Sequence, residues 1–320
     1  RRIRRRDPGS TFRPRDRPTM ELWIILTIAA AGVQAARTAL QKHLTARLTV
    51  FGATFARFLF GLPMILAGLA ALAVITNQSI PNPSAVFLSY AWVGGFVQLL
   101  GNALLLHVLG LSTFTVGMTY TKTEVIQTVG VSFIVLGEKV GPFGFVGILV
   151  AFLGVILMAT GRAGLSLASL AAALKHKPAL YGLCVGALYA VAAVFYRAAA
   201  LSLDGGYFVM RAFTTLAWVT SAQAVSMAVW LQWRTPDVLV NVVRAWPLGI
   251  LVGLTGIVAS AFWYCAFTLQ NAAYVMAVGQ VELVFAYVAS RFLFHERMTA
   301  QEALGVAATA AGILAIVLYG

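Results

Sequence analysis

Long apolar stretches separated by short polar connections dominate the chain after Met20. A helix needs about 20 apolar residues to cross the hydrocarbon core of a bilayer, and stretches of that length recur roughly ten times. They lack the period-two alternation of a membrane β-barrel, so the pattern predicts transmembrane helices. The predicted spans 1 to 10 cover residues 21–40, 51–76, 85–108, 113–136, 142–160, 179–201, 207–232, 246–268, 272–294 and 300–319.

The connections between these spans carry turn-forming residues. Segment 77–84 contains two prolines, and turns are also predicted at Asp204-Gly205-Gly206 and at Arg234-Thr235-Pro236-Asp237. Hydrophobic residues make up 60% of the chain and charged residues 10%, against about 45–50% and 25% in soluble domains. The sequence therefore predicts an all-α integral membrane protein with no loop long enough for a soluble domain.

The net charge of +13 does not predict a nucleic-acid partner. Residues 1–19 carry eight arginines and two aspartates and are expected to form a disordered basic tail. The remaining charge is scattered between apolar stretches, as expected for loops beside anionic lipid. Cys184 and Cys265 both lie inside apolar stretches, which excludes a disulfide framework or a cysteine metal site.

An internal repeat is visible in the spacing of the glutamates. Glu124 and Glu282 are 158 residues apart, as are Glu138 and Glu296. Each copy would hold five spans, an odd number, so the second copy must enter the membrane from the opposite side. Inverted repeats of this kind are typical of secondary transporters. The same shift relates further pairs: Gly147 and Gly305, Gly154 and Gly312, Met118 and Met276, and Lys139 and Arg297. Within each repeat the two glycines are seven residues apart and share one helix face, which predicts positions of close helix packing.

Two segments carry a family resemblance. Leu136-Gly137-Glu138-Lys139-Val140 and His295-Glu296-Arg297-Met298, each followed by a glycine-spaced apolar helix, are similar to the end of an EamA repeat. Two such repeats resemble the drug/metabolite transporter superfamily. The resemblance implies a multi-pass permease of the bacterial inner membrane that moves small organic solutes such as amino acids, nucleotide sugars or drugs. The implied division is 20–160 for repeat one, 161–177 for a linker and 178–320 for repeat two.

The chain departs from that family pattern at one position in each repeat. Common EamA repeats carry a proline in the helix before the loop glutamate, where this chain has Val125 and Leu283. Proline kinks helices because it removes a backbone donor. Spans 4 and 9 are therefore expected to be less kinked than in proline-bearing relatives.

The strongest candidate site residues lie in the middle of spans 4 and 9. Glu124 is roughly 15 Å deep in its span, where an ionised carboxylate costs at least about 2.5–3.5 kcal/mol. Such groups usually face a wet cavity, meet an opposite charge or carry a proton. At the shift of 158 residues Glu282 repeats Glu124, whereas Lys122 is matched by Gln280. All four are predicted to bind the solute, and a proton is a candidate coupling ion at the two carboxylates.

Two further residues of span 4 join this set. Tyr120, Glu124 and Gln127 are spaced i, i+4, i+7 and would share one face of a continuous helix. That face is predicted to line the solute pathway. In the alternative interpretation, Glu124 and Glu282 only pair with basic residues and hold the bundle together. The sequence leaves both interpretations open.

Arg57 and Arg211 occupy similar places early in spans 2 and 7. A guanidinium inside a cavity recognises a carboxylate or phosphate, which predicts an acidic or amino-acid-like solute. Near a helix end, however, an arginine can also extend to the lipid headgroups. Weaker candidates are Gln34, Arg37, Gln98, Asn102, His107, Tyr189, Tyr196, Arg197, Trp263 and Tyr264.

Enzyme motifs are missing from the sequence. Four histidines form no ligand cluster in sequence, and there is no glycine-rich phosphate loop with its lysine. No cofactor and no ATP-driven step are therefore predicted. The sequence favours a secondary transporter rather than an enzyme. Two alternatives stay open: an intramembrane enzyme using the carboxylate pair, and a membrane scaffold that transports nothing.

Overall fold

A computed structural model describes residues 17–109, 114–163, 168, 172, 174–285 and 299–319. These residues form helices and connecting turns, with no strand among them. Three predicted features lie outside the described residues: most of the basic tail, much of the linker 161–177, and segment 286–298 with Glu296. The helices are α1 Arg17–Leu44, α2 Val50–Thr76, α3 Ala85–Leu109, α4 Phe114–Thr121, α5 Glu124–Leu136, α6 Pro142–Ala163, α7 Lys177–Leu201, α8 Phe208–Arg234, α9 Pro236–Arg244, α10 Trp246–Leu269, α11 Ala272–Gly279 and α12 Ala300–Tyr319.

Eight of the described helices are long and apolar enough to cross a membrane. They are α1, α2, α3, α6, α7, α8, α10 and α12, and they correspond to predicted spans 1–3, 5–8 and 10. Several begin or end where the sequence dictates. The Thr49 hydroxyl accepts a hydrogen bond from Gly52 N at the start of α2, and Gly137 closes α5 in the left-handed conformation (φ 67°). The predicted turn before α8 is confirmed, with Gly205 and Gly206 at φ 75° and 74°.

Spans 4 and 9 are interrupted although both lack the family's proline. Span 4 is interrupted after Thr121 and resumes at Glu124, and span 9 is interrupted at Gln280. In span 9 the described residues 281–285 continue as helix. Proline is not needed for these breaks. In span 4, hydroxyls donate to carbonyls three residues back: Thr121 to Met118 O (2.8 Å) and Thr123 to Tyr120 O (2.6 Å).

Such side-chain bonds compete with the helical backbone ladder and favour a tighter turn. The two breaks carry the same backbone bonds, displaced by 158 residues. In span 4 they are Lys122 N to Thr119 O (3.2 Å) and Val125 N to Lys122 O (3.4 Å); in span 9 they are Gln280 N to Ala277 O (3.2 Å) and Leu283 N to Gln280 O (3.0 Å).

Helix α9 was not anticipated, because the sequence suggested only a connection between spans 7 and 8. It begins with Pro236 at its first position and Asp237 in its first turn, both favourable at a helix start. Val238 and Val242 lie on one face of α9. A Cβ atom placed on Gly52 of α2 would be 3.0 Å from Val238 and 3.4 Å from Val242. The short amphipathic helix is therefore held by close packing against the start of α2.

Helices α6 and α12 cross at the glycines predicted to be close-packing positions, which confirms that role. A Cβ atom on Gly154 would lie 2.7 Å from Gly305 O, and one on Gly305 would lie 2.7 Å from Gly154 O. Gly147 and Gly312 approach one another in the same reciprocal way. The Thr309 hydroxyl of α12 donates to Ala151 O of α6 (3.5 Å), and these two residues are also 158 positions apart. Reciprocal contacts between corresponding residues are what a two-fold relation between the repeats produces.

The helix ends fall into two groups at opposite ends of the bundle. At one end, here called the terminal end, Gly141 N donates to the Tyr274 hydroxyl (3.1 Å) and Tyr207 N donates to Gln78 Oε1 (3.2 Å). The start of α6 thus lies beside α11, so the end of span 4 is adjacent to the start of span 9. The opposite, linker end holds the α1–α2 connection and the start of α7.

Candidate functional site

A cavity of about 890 Å³ lies inside the bundle. Residues from both repeats line it, on α1, α2, α3, α4, α5, α7, α8, α10, α11 and residues 280–283. It extends to the linker end, where Thr45 and Val50 contribute to its wall. No described residue of α6 or α12 lines it, so the glycine crossing serves as scaffold outside the cavity.

Five of the predicted site residues line this cavity: Glu124, Glu282, Lys122, Gln280 and Arg57. The two breaks position Glu124, Glu282, Lys122 and Gln280 at the cavity wall, and Arg57 reaches it from α2. Helix α5 begins at Glu124, so the positive end of its dipole is directed at the cavity. Discontinuous helices of this kind, with their ends at a solute or ion site, are characteristic of secondary transporters.

Tyr120 and Gln127 do not line the cavity. Tyr120 packs in an apolar cluster with Ile156 and Ala179. The Gln127 amide donates to Thr123 Oγ1 (2.9 Å) and to Leu183 O of α7 (3.3 Å). Their predicted face assumed one continuous helix. The break at residues 122 and 123 ends that continuity and turns both side chains toward packed neighbours.

Arg211 also lies outside the cavity. It sits in the first turn of α8, at the terminal end, and its buried Nε has no hydrogen-bond partner among the described residues. Arg57 sits early in α2, whose first turn is at the linker end. Similar positions in the two repeats are therefore at opposite ends of the bundle, because the corresponding helices run in opposite directions.

Two arginines, Arg37 and Arg57, are cations of the cavity wall, together with Lys122. The Arg57 guanidinium donates to Ser260 Oγ (3.1 Å) and lies 5.1 Å from the centre of the Phe58 ring. Within the described part of the chain, neither arginine has a carboxylate oxygen within 4 Å. A guanidinium without a carboxylate partner is an anion-binding group. Arg37 was only a weak candidate from the sequence, since a lone arginine near a helix end gives little indication of its surroundings.

Glu282 is held by a chain of side-chain hydrogen bonds. Trp263 Nε1 donates to Gln34 Oε1 (3.1 Å), and Gln34 Nε2 donates to Glu282 Oε2 (2.8 Å). The indole can only donate, so it fixes the orientation of the Gln34 amide. The Gln34 amino group is thereby aimed at the carboxylate. Gln34 and Trp263, both weak candidates in the sequence, thus support a predicted site residue.

Glu124 has different neighbours. It accepts a hydrogen bond from the Gln280 side chain and lies within electrostatic range of Lys122 and Glu282. The two carboxylates therefore share one region of the cavity. Only Glu124 has a lysine two residues away in its own span.

A network of amides and tyrosines forms the wall of the cavity contributed by α3, α7 and α8. The Tyr196 hydroxyl lies 3.0 Å from Gln98 Oε1, and Gln223 Nε2 donates to the same oxygen (2.7 Å). One turn further along α3, Asn102 Oδ1 accepts from the Tyr189 hydroxyl (2.8 Å). Four of these five cavity-lining residues were weak candidates in the sequence, and the fifth, Gln223, was one that the sequence gave no reason to select.

An ion pair lies at the terminal end. Arg197 of α7 pairs with Glu138, the loop glutamate after α5 (2.5 Å), and its Nη1 donates to Phe267 O (2.6 Å) and Gln270 O (2.7 Å). Only 11% of the Arg197 side chain and 21% of the Glu138 side chain are exposed. Neither residue lines the cavity, and nor does His107. The ion pair therefore joins α7 to the connections after α5 and α10 at the terminal end, whereas the cavity lining reaches the linker end.

The cavity lining carries Arg37, Arg57 and Lys122 against Glu124 and Glu282, a formal charge of +1 with both carboxylates ionised. Cations and carboxylates lie in a cavity that is also lined by aromatic residues, including Tyr264 stacked on Tyr196 (4.7 Å between ring centroids). Such a site can bind an acidic group and an ammonium group of one solute at separate places.

Comparison with known proteins gives a family and a fold. The model of the EamA-like transporter family matches residues 21–160 and 176–318, which is nearly the whole described chain. A crystal structure of a protein with 16% sequence identity superposes with a TM-score of 0.68, covering 93% of this chain and 98% of the other. No curated protein matches the chain.

Proposed function

This chain belongs to the EamA-like transporter family, and we propose that it is a secondary transporter of a small organic solute with an acidic group, such as an amino acid. The observation that supports this most strongly is the cavity between the repeats, with Arg37 and Arg57 in its wall and no carboxylate within 4 Å of either among the described residues. A half-buried guanidinium with no carboxylate in contact is stabilised when a ligand supplies the anion.

The proposed architecture has ten spans in two inverted repeats of the bacterial inner membrane. The matching breaks in spans 4 and 9 and the reciprocal glycine contacts support it. In this scheme the cavity alternates between the two sides of the membrane. The Arg197–Glu138 pair with its two carbonyl partners is the closed gate of the present state.

Proton coupling is the second part of the proposal. Glu124 and Glu282 lie in the same cavity and within electrostatic range of one another. Two neighbouring carboxylates differ in their readiness to hold a proton, and each can exchange it when the cavity opens to a new side. Protonation of one carboxylate would also change the charge offered to the solute.

Solute flux into proteoliposomes tests the proposed function. Purified protein is reconstituted, and counterflow of radiolabelled amino acids and small organic acids is measured. The structure predicts that Arg57→Gln lowers the apparent affinity for an acidic solute by roughly 10-fold or more, as expected when a charged hydrogen-bonding partner is lost. Arg211→Gln is the matched control, because Arg211 lies outside the cavity, and it should transport like the parent.

The same assay separates the two alternatives. An intramembrane enzyme would convert the added compound without moving it, and a scaffold would do neither. Equal flux for Arg57→Gln and the parent would remove Arg57 from the solute site. Absence of flux for every amino acid and organic acid tested would overturn the proposed solute class.

A further inference from the structure

The wall formed by α3, α7 and α8 has a property that the charges alone do not reveal: its amide groups have fixed orientations. Gln223 is only 3% exposed. Its Nε2 donates to the backbone carbonyl of Gly95 (3.3 Å) and to Gln98 Oε1 (2.7 Å). A carbonyl can only accept, so the nitrogen of Gln223 must face Gly95. That fixes the side-chain oxygen of Gln98 as the atom facing Gln223.

The orientation of Gln98 follows from its partners. Its Oε1 accepts from Gln223 and lies 3.0 Å from the Tyr196 hydroxyl. Its amino group has no hydrogen-bond acceptor among the described residues, and it is not among their buried unpaired atoms. Gln98 lines the cavity. The amino group of Gln98 is therefore a free donor at the cavity surface.

Asn102 repeats this arrangement one helical turn away. Residues i and i+4 lie on the same helix face, so Gln98 and Asn102 are neighbours on α3. The Asn102 oxygen accepts from the Tyr189 hydroxyl (2.8 Å), which leaves its amino group without an acceptor among the described residues. The wall thus offers two amide donors, on Gln98 and Asn102, to a ligand.

Arg57 lies next to these donors. Its hydrogen-bond partner Ser260 lies one turn of α10 before Tyr264, and the Tyr264 ring stacks on Tyr196, which contacts Gln98 Oε1. The neighbouring groups in the wall are therefore a guanidinium and two amide NH₂ groups. A carboxylate, which only accepts hydrogen bonds, is satisfied by such a wall. An isosteric carboxamide is matched less well, because it carries no charge for the guanidinium and has an NH₂ donor in place of one acceptor oxygen.

We propose that this wall is a carboxylate subsite that binds an acid group of the solute in preference to the isosteric amide, with Gln98 as the specificity-determining residue and Gln223 as its positioning residue. The inference rests on the proposed transport function and narrows its substrate class to solutes with a free acid at this position. Sites built to satisfy one hydrogen-bonding pattern discriminate strongly, because the wrong ligand leaves buried polar groups unpaired.

The experiment compares acids with their amides in proteoliposome counterflow. The probe pairs are L-glutamate and L-glutamine, L-aspartate and L-asparagine, and succinate and succinamate. For at least one pair the parent protein should prefer the acid by roughly 10-fold or more in apparent affinity. Gln98→Glu replaces the donor by an acceptor of the same size, so the preference should fall below about threefold or invert.

Two further variants keep the test decisive. Gln78→Glu makes the same chemical change in the α2–α3 connection, where the retained oxygen can still accept from Tyr207 N, and it should keep the parental acid-to-amide ratio. Gln98→Met, similar in length and uncharged, serves if the charged variant does not fold. It should weaken acid binding without improving amide binding, a split that a general structural defect would not produce.

The outcomes separate the two proposals. A parent that transports the probes without preferring any acid overturns the carboxylate subsite and leaves the transport function in place. The subsite is also overturned if Gln98→Glu or Gln98→Met keeps the parental ratio. A parent that moves none of the six compounds overturns the proposed solute class, and the subsite falls with it.

Discussion

Spans 4 and 9 are interrupted by the same backbone turn, at positions 158 residues apart, yet the side chain at the turn is Lys122 in one and Gln280 in the other. The following carboxylates, Glu124 and Glu282, are repeated, but their partners differ. Glu124 has Lys122 and Gln280 nearby, whereas Glu282 is held by Gln34. The two repeats thus share a scaffold and diverge in the chemistry attached to it.

The comparison teaches that symmetry is required where the repeats touch each other and not where they meet the solute. The glycine crossing of α6 and α12 must be reciprocal, because each repeat supplies the surface on which the other packs. A small organic solute has no two-fold symmetry. A cavity that binds it can therefore carry different side chains at corresponding positions of the two repeats. The predictions below test this division, beginning with the largest expected effect.

Breaking the symmetric crossing should affect the fold most. A Cβ atom on Gly312 would collide with the Ala151 backbone and lie 2.7 Å from Gly147 O. Gly312→Ala should therefore destabilise the protein by about 1–3 kcal/mol, the usual cost of overpacking. Gly130→Ala is the control, because nothing lies within 4 Å of its added Cβ, and it should be neutral or stabilising. Thermal unfolding in detergent measures both, and equal unfolding temperatures would contradict a close-packed crossing.

Removing each carboxylate in turn should show which repeat couples to protons. One coupled proton supports about 10-fold solute accumulation per pH unit, equivalent to about 1.36 kcal/mol. We expect at least one of Glu124→Gln and Glu282→Gln to keep solute exchange while losing this accumulation. Exchange and gradient-driven uptake are measured on the same proteoliposomes. If both variants still respond to the gradient like the parent, neither carboxylate is the coupling site.

Exchanging the side chains at the two breaks should have the smallest effect. Lys122→Gln makes repeat one like repeat two and removes one cation from the cavity. Charge pairs in contact with water contribute up to about 1 kcal/mol, so affinity for an acidic solute should fall by roughly threefold to fivefold. Adding Gln280→Lys returns the cation at the corresponding position and should recover part of the loss. Failure of the double variant to recover any affinity would mean that the breaks are not equivalent places in the cavity.

The sequence alone was enough for the membrane class, the repeat and most of the spans. Apolar stretches of bilayer length have one dominant solution, the transmembrane helix, because lipid leaves no other way to satisfy the backbone. The repeated spacing of glutamates and glycines located the scaffold glycines, since close helix contacts require small residues. Five of the eight predicted site residues line the cavity: Glu124, Glu282, Lys122, Gln280 and Arg57.

Only the tertiary structure decided how the remaining polar residues are used. Arg57 and Arg211 look equivalent in the sequence, but the helices that carry them start at opposite ends of the bundle. Tyr120 and Gln127 were assigned to the cavity by helical periodicity, which fails across a break made by side-chain hydrogen bonds. Gln98 and Gln223 act through partners about 100 or more residues away in the chain. Local patterns determine helices because their hydrogen bonds are local, whereas a binding site depends on which helices become neighbours.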